Sequence, residues 1–220
     1  IRGNFGNAWN YEASFNYSRY QSVVRWPQIV NSKAIAFFLG EQLGVDEDSG
    51  YPIFNADPAR LYTALTPAEY DSISADTVYR PYSWTSNLQA TLTNGELFQL
   101  PAGPVGVAVV AEYGKQGYNL RPDPLALTDY YYSWKDSDGA GKRSHAAIGG
   151  EVRVPVLDFV TLTGAGRYDT FGFAGRDVGK FTYNGGVEVR PTSSLLLRAA
   201  YGTAFRAPDL HYVFTGPGNV

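Results

Sequence analysis

Phe181-Thr182-Tyr183-Asn184-Gly185-Gly186-Val187-Glu188-Val189-Arg190 is the stretch that decides the fold. Read with period two, one face is Phe181, Tyr183, Gly185, Val187 and Val189. The other is Thr182, Asn184, Gly186, Glu188 and Arg190. Period two marks a strand, because successive Cβ atoms leave opposite faces of the chain. The pattern recurs on both sides of this stretch. Downstream, Leu195, Leu197, Ala199 and Tyr201 alternate with Leu196, Arg198, Ala200 and Gly202. Upstream, the apolar faces are Val160, Leu162, Gly164, Gly166, Tyr168, then Ala146, Ile148, Gly150, Val152, Val154, then Val105, Val107, Val109, Ala111, Tyr113. Two earlier runs follow suit, Tyr82 to Leu92 and Trp9 to Tyr17. Seven strand-like segments result, each close to the ~9–11 residues that cross a bilayer at a tilt. Strands of soluble domains average ~5–6 residues.

The composition is consistent with this and excludes much else. The 220 residues are 44% hydrophobic, 15% aromatic and only 18% charged, so the chain is not disordered. The net charge of −3 argues against nucleic acid as a partner. There is no Cys and there are only two His, which removes thiolate and multi-histidine metal sites, and no cofactor is expected. No stretch approaches the ~20 apolar residues of a spanning helix, but alternating barrel strands average to a polar hydropathy and escape such a scan. The chain begins at Ile1, lacks Met and shows neither signal peptide nor lipidation motif, so a processed chain or a fragment is expected.

The connections alternate between short and long. Residues 93–104, 155–159 and 191–194 are the short ones, and residues 25–77, 117–142 and 170–179 the long or Gly-rich ones. On the apolar faces the aromatics gather at the long-loop end: Tyr17, Tyr82, Trp84, Tyr113, Tyr168, Phe181, Tyr183 and Tyr201. Short turns on one side, long loops on the other and a belt of rings at one depth describe a transmembrane barrel. Trp9 and Tyr11 begin a thinner belt at the opposite end. The fold class expected is therefore all-β: an antiparallel transmembrane β-barrel segment with short helices in its long extracellular loops. A secreted carbohydrate-binding β-sandwich shares the alternation but has no reason to sort Tyr by depth.

Residues 25–77 carry helix signals. Asp57-Pro58 reads as an N-cap with Pro at the first helical position, and Thr66-Pro67-Ala68-Glu69 as a capping box. Lys33 to Leu43 is a candidate apolar-faced helix. Asp46-Glu47-Asp48-Ser49-Gly50 lacks the full spacing of a calcium loop and reads as solvated acidic loop. Residues 117–142 are rich in Tyr118, Arg121, Tyr130, Tyr131, Tyr132 and Trp134. Such residues bind ligands in loops or pack on one another to close a barrel mouth; both readings stand.

No catalytic motif is found, and His145 reads as a hydrogen-bonded surface residue. The Gly164-Ala165-Gly166 stretch has no helix after it, so it is no dinucleotide site; small residues there relieve crowding where strands curve. The charges opposite the apolar faces are Glu112, Glu151, Arg153, Arg167, Asp169, Glu188, Arg190 and Arg198. Their mixed signs predict a ladder of cross-strand ion pairs in a polar lumen, with a substrate path as the sharper alternative.

One motif adds a family. Leu195 to Leu210 reads LLLRAAYGTAFRAPDL, and Phe205, Arg206, Ala207, Pro208, Asp209 and Leu210 resemble a signature of TonB-dependent outer-membrane receptors. Gly166-Arg167-Tyr168-Asp169 and Leu100-Pro101-Ala102-Gly103-Pro104-Val105 resemble strand ends and turns of the same family. The resemblance runs from about Leu97 to Leu210. It implies a Gram-negative outer-membrane location and a 22-stranded barrel closed by a plug domain, of which this chain is an internal slice without the plug. It also implies import of a ferric siderophore, cobalamin or an oligosaccharide, energised by the TonB complex of the inner membrane. The partners expected are that complex, reached through the plug, outer-membrane lipid and a small-molecule or oligosaccharide ligand; the chain is not expected to be an enzyme. A passive porin or adhesin barrel is the alternative. Arg206 and Asp209 are expected to be structural at the barrel rim.

Overall fold

The computed structural model describes residues 1–6 and 8–216. In chain order the elements begin with β1 (Arg2–Phe5), β2 (Trp9–Gln21), β3 (Val24–Ile29), α1 (Asn31–Leu39), β4 (Gln42–Val45), β5 (Pro52–Phe54), α2 (Pro58–Leu61), α3 (Pro67–Ile73) and β6 (Ser74–Tyr79). They continue with β7 (Tyr82–Leu100), β8 (Gly103–Asn119), a 3₁₀ turn (Pro124–Leu127), β9 (Ala140–Leu157), β10 (Val160–Phe173), β11 (Arg176–Thr192), β12 (Leu195–Gly202) and α4 (Leu210–Phe214). The chain divides into two units. The first holds residues 1–19, 83–117 and 141–213; the second holds residues 20–82, 118–140 and those from 214 on.

The first unit is an antiparallel sheet in the order β1-β2-β7-β8-β9-β10-β11-β12. All seven segments found by alternation lie in its strands, and the four residues of β1 add an eighth too short for alternation to reveal. The register keeps the faces apart: Tyr168 pairs with both Ile148 and Phe181, and Gly185 with both Gly164 and Tyr201. The apolar face is open. Ile148 is 60% exposed, and Val109, Leu162 and Leu197 are exposed as well. Among the described residues, the large apolar side chains buried in this unit are Val105 and Leu210. A water-soluble sandwich buries such a face against a second sheet; a lipid-facing surface leaves it bare, as here.

The belt of rings gives one glycine of the Gly164-Ala165-Gly166 stretch a role besides relief of crowding. Phe181 lies over Gly166, where a Cβ would come within 2.9 Å of its Cζ. Tyr168 covers Gly179 in the same way, and Tyr11 covers Gly3. A ring laid across a neighbouring strand's glycine shields backbone that has no side chain of its own. The thin belt at the other end gains Phe5, stacked on Trp9 with centroids 6.2 Å apart, and exposed Phe98 and Phe159.

Two connections differ from expectation. Residues 170–179 are not a long loop: β10 and β11 pair without interruption from Thr170↔Gly179 to Phe173↔Arg176. Ala174 (φ 52°) and Gly175 (φ 75°) alone make the turn, both in the left-handed region that a two-residue hairpin of type I′ requires. Likewise residues 93–104 are mostly strand, and only Pro101 and Ala102 lie between β7 and β8.

The second unit is built from the two loops. The helix signals hold. Asp57 Oδ1 accepts from Ala59 N–H (2.9 Å) at the start of α2, and both bonds of the capping box open α3. The Lys33 to Leu43 candidate is α1, which begins two residues earlier and stops at Gly40. The strand pairs β3–β6 and β4–β5 were not legible, since neither alternates over enough residues. Its core is Val30, Ala34, Ile73, Ala126 and Tyr131.

Candidate functional site

The polar face of the sheet carries a connected charge network at the long-loop end. Arg167 on β10 sits between two carboxylates. Its Nη2 donates to Glu112 Oε2 at 2.6 Å, and its Nε donates to both oxygens of Asp169 at 3.0 and 3.1 Å. Glu112 is on β8, so the guanidinium reaches across β9. It does so because its partner on β9 is Gly149, which has no side chain to stand in the way. His145 Nε2 makes a 2.9 Å hydrogen bond to Asp169 Oδ1. His145 is therefore half-buried in this network, and the surface reading is corrected. The cross-strand ladder exists here and again where Arg198 meets Glu188 at 2.8 Å. Glu151, Arg153 and Arg190 form no ion pair among the described residues and stand exposed on the same face.

Above the network, rings and cations stack in a column. Phe171 lies parallel to His145, centroids 4.4 Å apart, and the Arg143 guanidinium sits 5.0 Å from its centroid. Phe205 of the motif approaches the same ring at 6.1 Å. Arg143 Nη1 donates to the carbonyl of Pro208 at 2.7 Å. Asp209 Oδ1 accepts from His211 N–H at 3.0 Å, Leu210 is buried, and Arg206 points to solvent. The Phe205–Leu210 stretch is thus clasped against the strand ends by Arg143 and Phe171. Neither of these was singled out from the sequence, although Phe171↔His145 follows from strand register once β9 and β10 are paired.

A shallow cavity of about 260 Å³ adjoins the network on this face, with Val110, Gly149, Glu151, Arg167, Thr182 and Asn184 among its walls. Among the described residues, the hydrogen-bond partner of the His145 ring is Asp169. Among the described residues no three His, Asp or Glu side chains gather as a metal site.

The loop residues fall into two groups. Tyr131 is 3% exposed; its hydroxyl donates to the Asp76 carbonyl (3.2 Å), and burial raises its pKa, with the Asp123 charge adding to the effect. Tyr130 meets Tyr131 edge-on at 5.0 Å, and Trp134 meets Trp26 edge-on at 5.6 Å. Tyr118 lies against Gly139, and Arg121, at φ 47°, stacks on Tyr82 at 4.3 Å. These residues stitch the unit together: Val30 bridges to Tyr131, and Asn31 N–H donates to the Tyr130 carbonyl. Tyr132 differs, being 59% exposed beside this core. The acidic run closes the β4–β5 turn, with Asp46 Oδ1 accepting from the Ser49 hydroxyl and N–H. These bonds, the hydroxyl's first, lower its pKa.

A family model described as TonB dependent receptor-like, beta-barrel matches residues 2–220. No curated protein matches the chain.

Proposed function

The chain belongs to the TonB-dependent receptor β-barrel family, a family of Gram-negative outer-membrane transport receptors, and from that premise we propose that it is a barrel segment of an importer energised by the inner-membrane TonB complex. Its long loops capture a scarce nutrient, a ferric siderophore, cobalamin or an oligosaccharide, and the polar face conducts it inward when a plug domain is displaced. The observation that carries this reading is the division of charge on the polar face. Glu112, Arg167, Asp169 and His145 are locked to one another, while Glu151, Arg153 and Arg190 are exposed and form no ion pair among the described residues. A fixed network keeps the wall rigid, and the unpaired charges offer a solute contacts that replace water. In the loop unit Tyr132 is the exposed ring supported by a packed aromatic core, which suits a ligand contact.

The test is uptake. Cells expressing the full-length protein are given labelled ferric siderophore, cobalamin and maltodextrin, with and without an uncoupler of the inner-membrane proton gradient. Saturable accumulation of one of them, abolished by the uncoupler and weakened by Tyr132→Ala, is expected. Uptake that ignores the uncoupler and follows solute size would make the barrel a passive pore instead.

A further inference from the structure

We propose that the polar face holds, at its short-turn end, a receiving site for the oxyanion group, carboxylate or phosphate, of a solute in transit, with Arg153 and Arg190 as its two arms. The proposal rests on reading that face as the solute path. Most charges along it are matched: Arg167 has Glu112 and Asp169, and Arg198 has Glu188 at 2.8 Å. Arg153 and Arg190 are exposed and form no ion pair among the described residues. They line one pocket of about 250 Å³, together with Thr161, Asp158 and Glu188.

The strands bring them there. Arg153, Thr163 and Gly186 lie in one cross-strand row, and Pro155, Thr161 and Glu188 in the next polar-face row toward the turns. Neither Thr163 nor Gly186 carries a charge that could hold Arg153 in its own row. Arg190 lies beyond Glu188, inside a bulge: β11 has one residue more than β12 between Val189 and Thr192. Pro191 falls in the same bulge, where a residue without an N–H costs the ladder nothing. A second bulge sits at Val156 on β9, between Pro155 and Leu157. Bulges bend their strands and re-aim side chains. The backbone under Arg190 is fixed all the same, since its N–H donates to the Phe159 carbonyl at 2.7 Å.

The carboxylates nearby leave the two arms free. Glu188 is held by Arg198, and Glu151, two residues from Arg153 on β9, lines a different cavity. Asp158, exposed in the β9–β10 turn, is one uncommitted carboxylate beside two uncommitted guanidinium groups. A guanidinium presents parallel N–H donors that match two oxygens of a carboxylate or phosphate. Two of them in a wet pocket hold such a group and still release it, as a station on a path must. Thr161 and Arg167 are six residues apart on β10, so the site lies ~20 Å along the strand from the closed network. A neutral oligosaccharide gains nothing from this pair, so the site selects a nutrient that bears an acid group.

The test uses the full-length protein in detergent micelles, with citrate and inorganic phosphate as probes at constant ionic strength. Binding is read from saturation-transfer proton NMR of citrate and from the phosphorus linewidth of phosphate. At least one probe should bind saturably, and the tighter of the two tells whether the site takes carboxylate or phosphate. Arg153→Gln and Arg190→Gln should each weaken that binding roughly fivefold or more, and the double variant should abolish it. Both side chains are exposed, so the fold survives these changes. Arg25→Gln, in the loop unit, is the control for lost charge alone and should bind as wild type does. The proposal is overturned if wild type binds neither anion saturably, if the double variant binds undiminished, or if the loss is confined to one arginine. Displacement of the anion by maltotriose would overturn it too. Failure of the importer reading shows elsewhere: uncoupler-insensitive uptake with anion binding intact sinks active import and leaves the site. Energised uptake without anion binding sinks the site alone.

Discussion

Arg167 shows how one missing side chain sets a residue's role. Its guanidinium bridges Glu112 on β8 and Asp169 on its own strand because Gly149 leaves the intervening strand bare on that face. A Cβ at Gly149 would lie 3.3 Å from Val110 Cγ1 and in ordinary contact with Arg167 Cβ at 3.5 Å, so it is a longer side chain there that would stand in the guanidinium's way. The pair is partly exposed, so its contribution is modest. A double-mutant cycle of Glu112→Gln and Arg167→Gln is expected to give a coupling of about 0.5–2 kcal/mol in denaturant unfolding of the full-length protein. Additive losses would mean that the two side chains do not cooperate. Alternation puts Glu112, Arg167 and Asp169 on one face and names them correctly as a ladder. It does not show which pairs close, because that depends on register and on the glycine between them. His145 illustrates the same limit: its partner lies 24 residues away and becomes its neighbour only when β9 and β10 pair.

Among the elements, the clearest local signal is α3. Glu69 accepts from Thr66 N–H at 2.9 Å, the Thr66 hydroxyl at 2.8 Å and Arg60 Nη1 at 2.6 Å. Led by the backbone N–H, these bonds hold its pKa down to about 2 from an ordinary 4.5. A carboxylate lowered on folding adds stability above its ordinary pKa, and that contribution is lost as pH falls from about 4.5 to about 2. Thr66→Val is therefore expected to move the Glu69 midpoint upward toward 4.5, followed by carbon NMR of labelled glutamate side chains; an unmoved midpoint would refute the role given to the cap. The Phe205–Leu210 segment depends on more distant contacts. With Phe171→Ala, the ring that Phe205, His145 and Arg143 share is gone. Amide exchange across residues 205–210 should then quicken at least severalfold, while exchange in the middle of β10 stays slow. The capping box was legible because Thr66 and Glu69 are three residues apart. The clasp was not, because Arg143 and Pro208 are separated by 65 residues and joined by a backbone carbonyl that leaves no trace in residue type. The β10–β11 hairpin was hidden for another reason: Ala174 stands at a positive φ where Asn or Gly would have announced the turn.

At the scale of the whole molecule, the sheet is stable only if its two faces meet two different media. Its long strands were readable because each obeys one rule, apolar residues on one face and polar on the other, with rings sorted by depth; their order in the sheet comes from the structure. The loop unit obeys no such rule: its strand pairs are short, and its aromatic core joins segments about a hundred residues apart, such as Val30 and Tyr131. The two-medium rule makes a paired prediction. Ile148 and Glu151 are three residues apart on β9 and therefore face opposite sides; both are exposed. In a soluble sheet Arg at either position would be tolerated alike. In a bilayer, Ile148→Arg places a charge among the acyl chains and should cost about 2–4 kcal/mol near mid-depth, whereas Glu151→Arg meets water on the polar face and should cost little. Unfolding of the full-length protein from vesicles by denaturant measures both. In detergent micelles, which thin around a charge, the gap between the two variants should narrow; a gap absent in both settings would remove the lipid from the apolar face and, with it, the barrel.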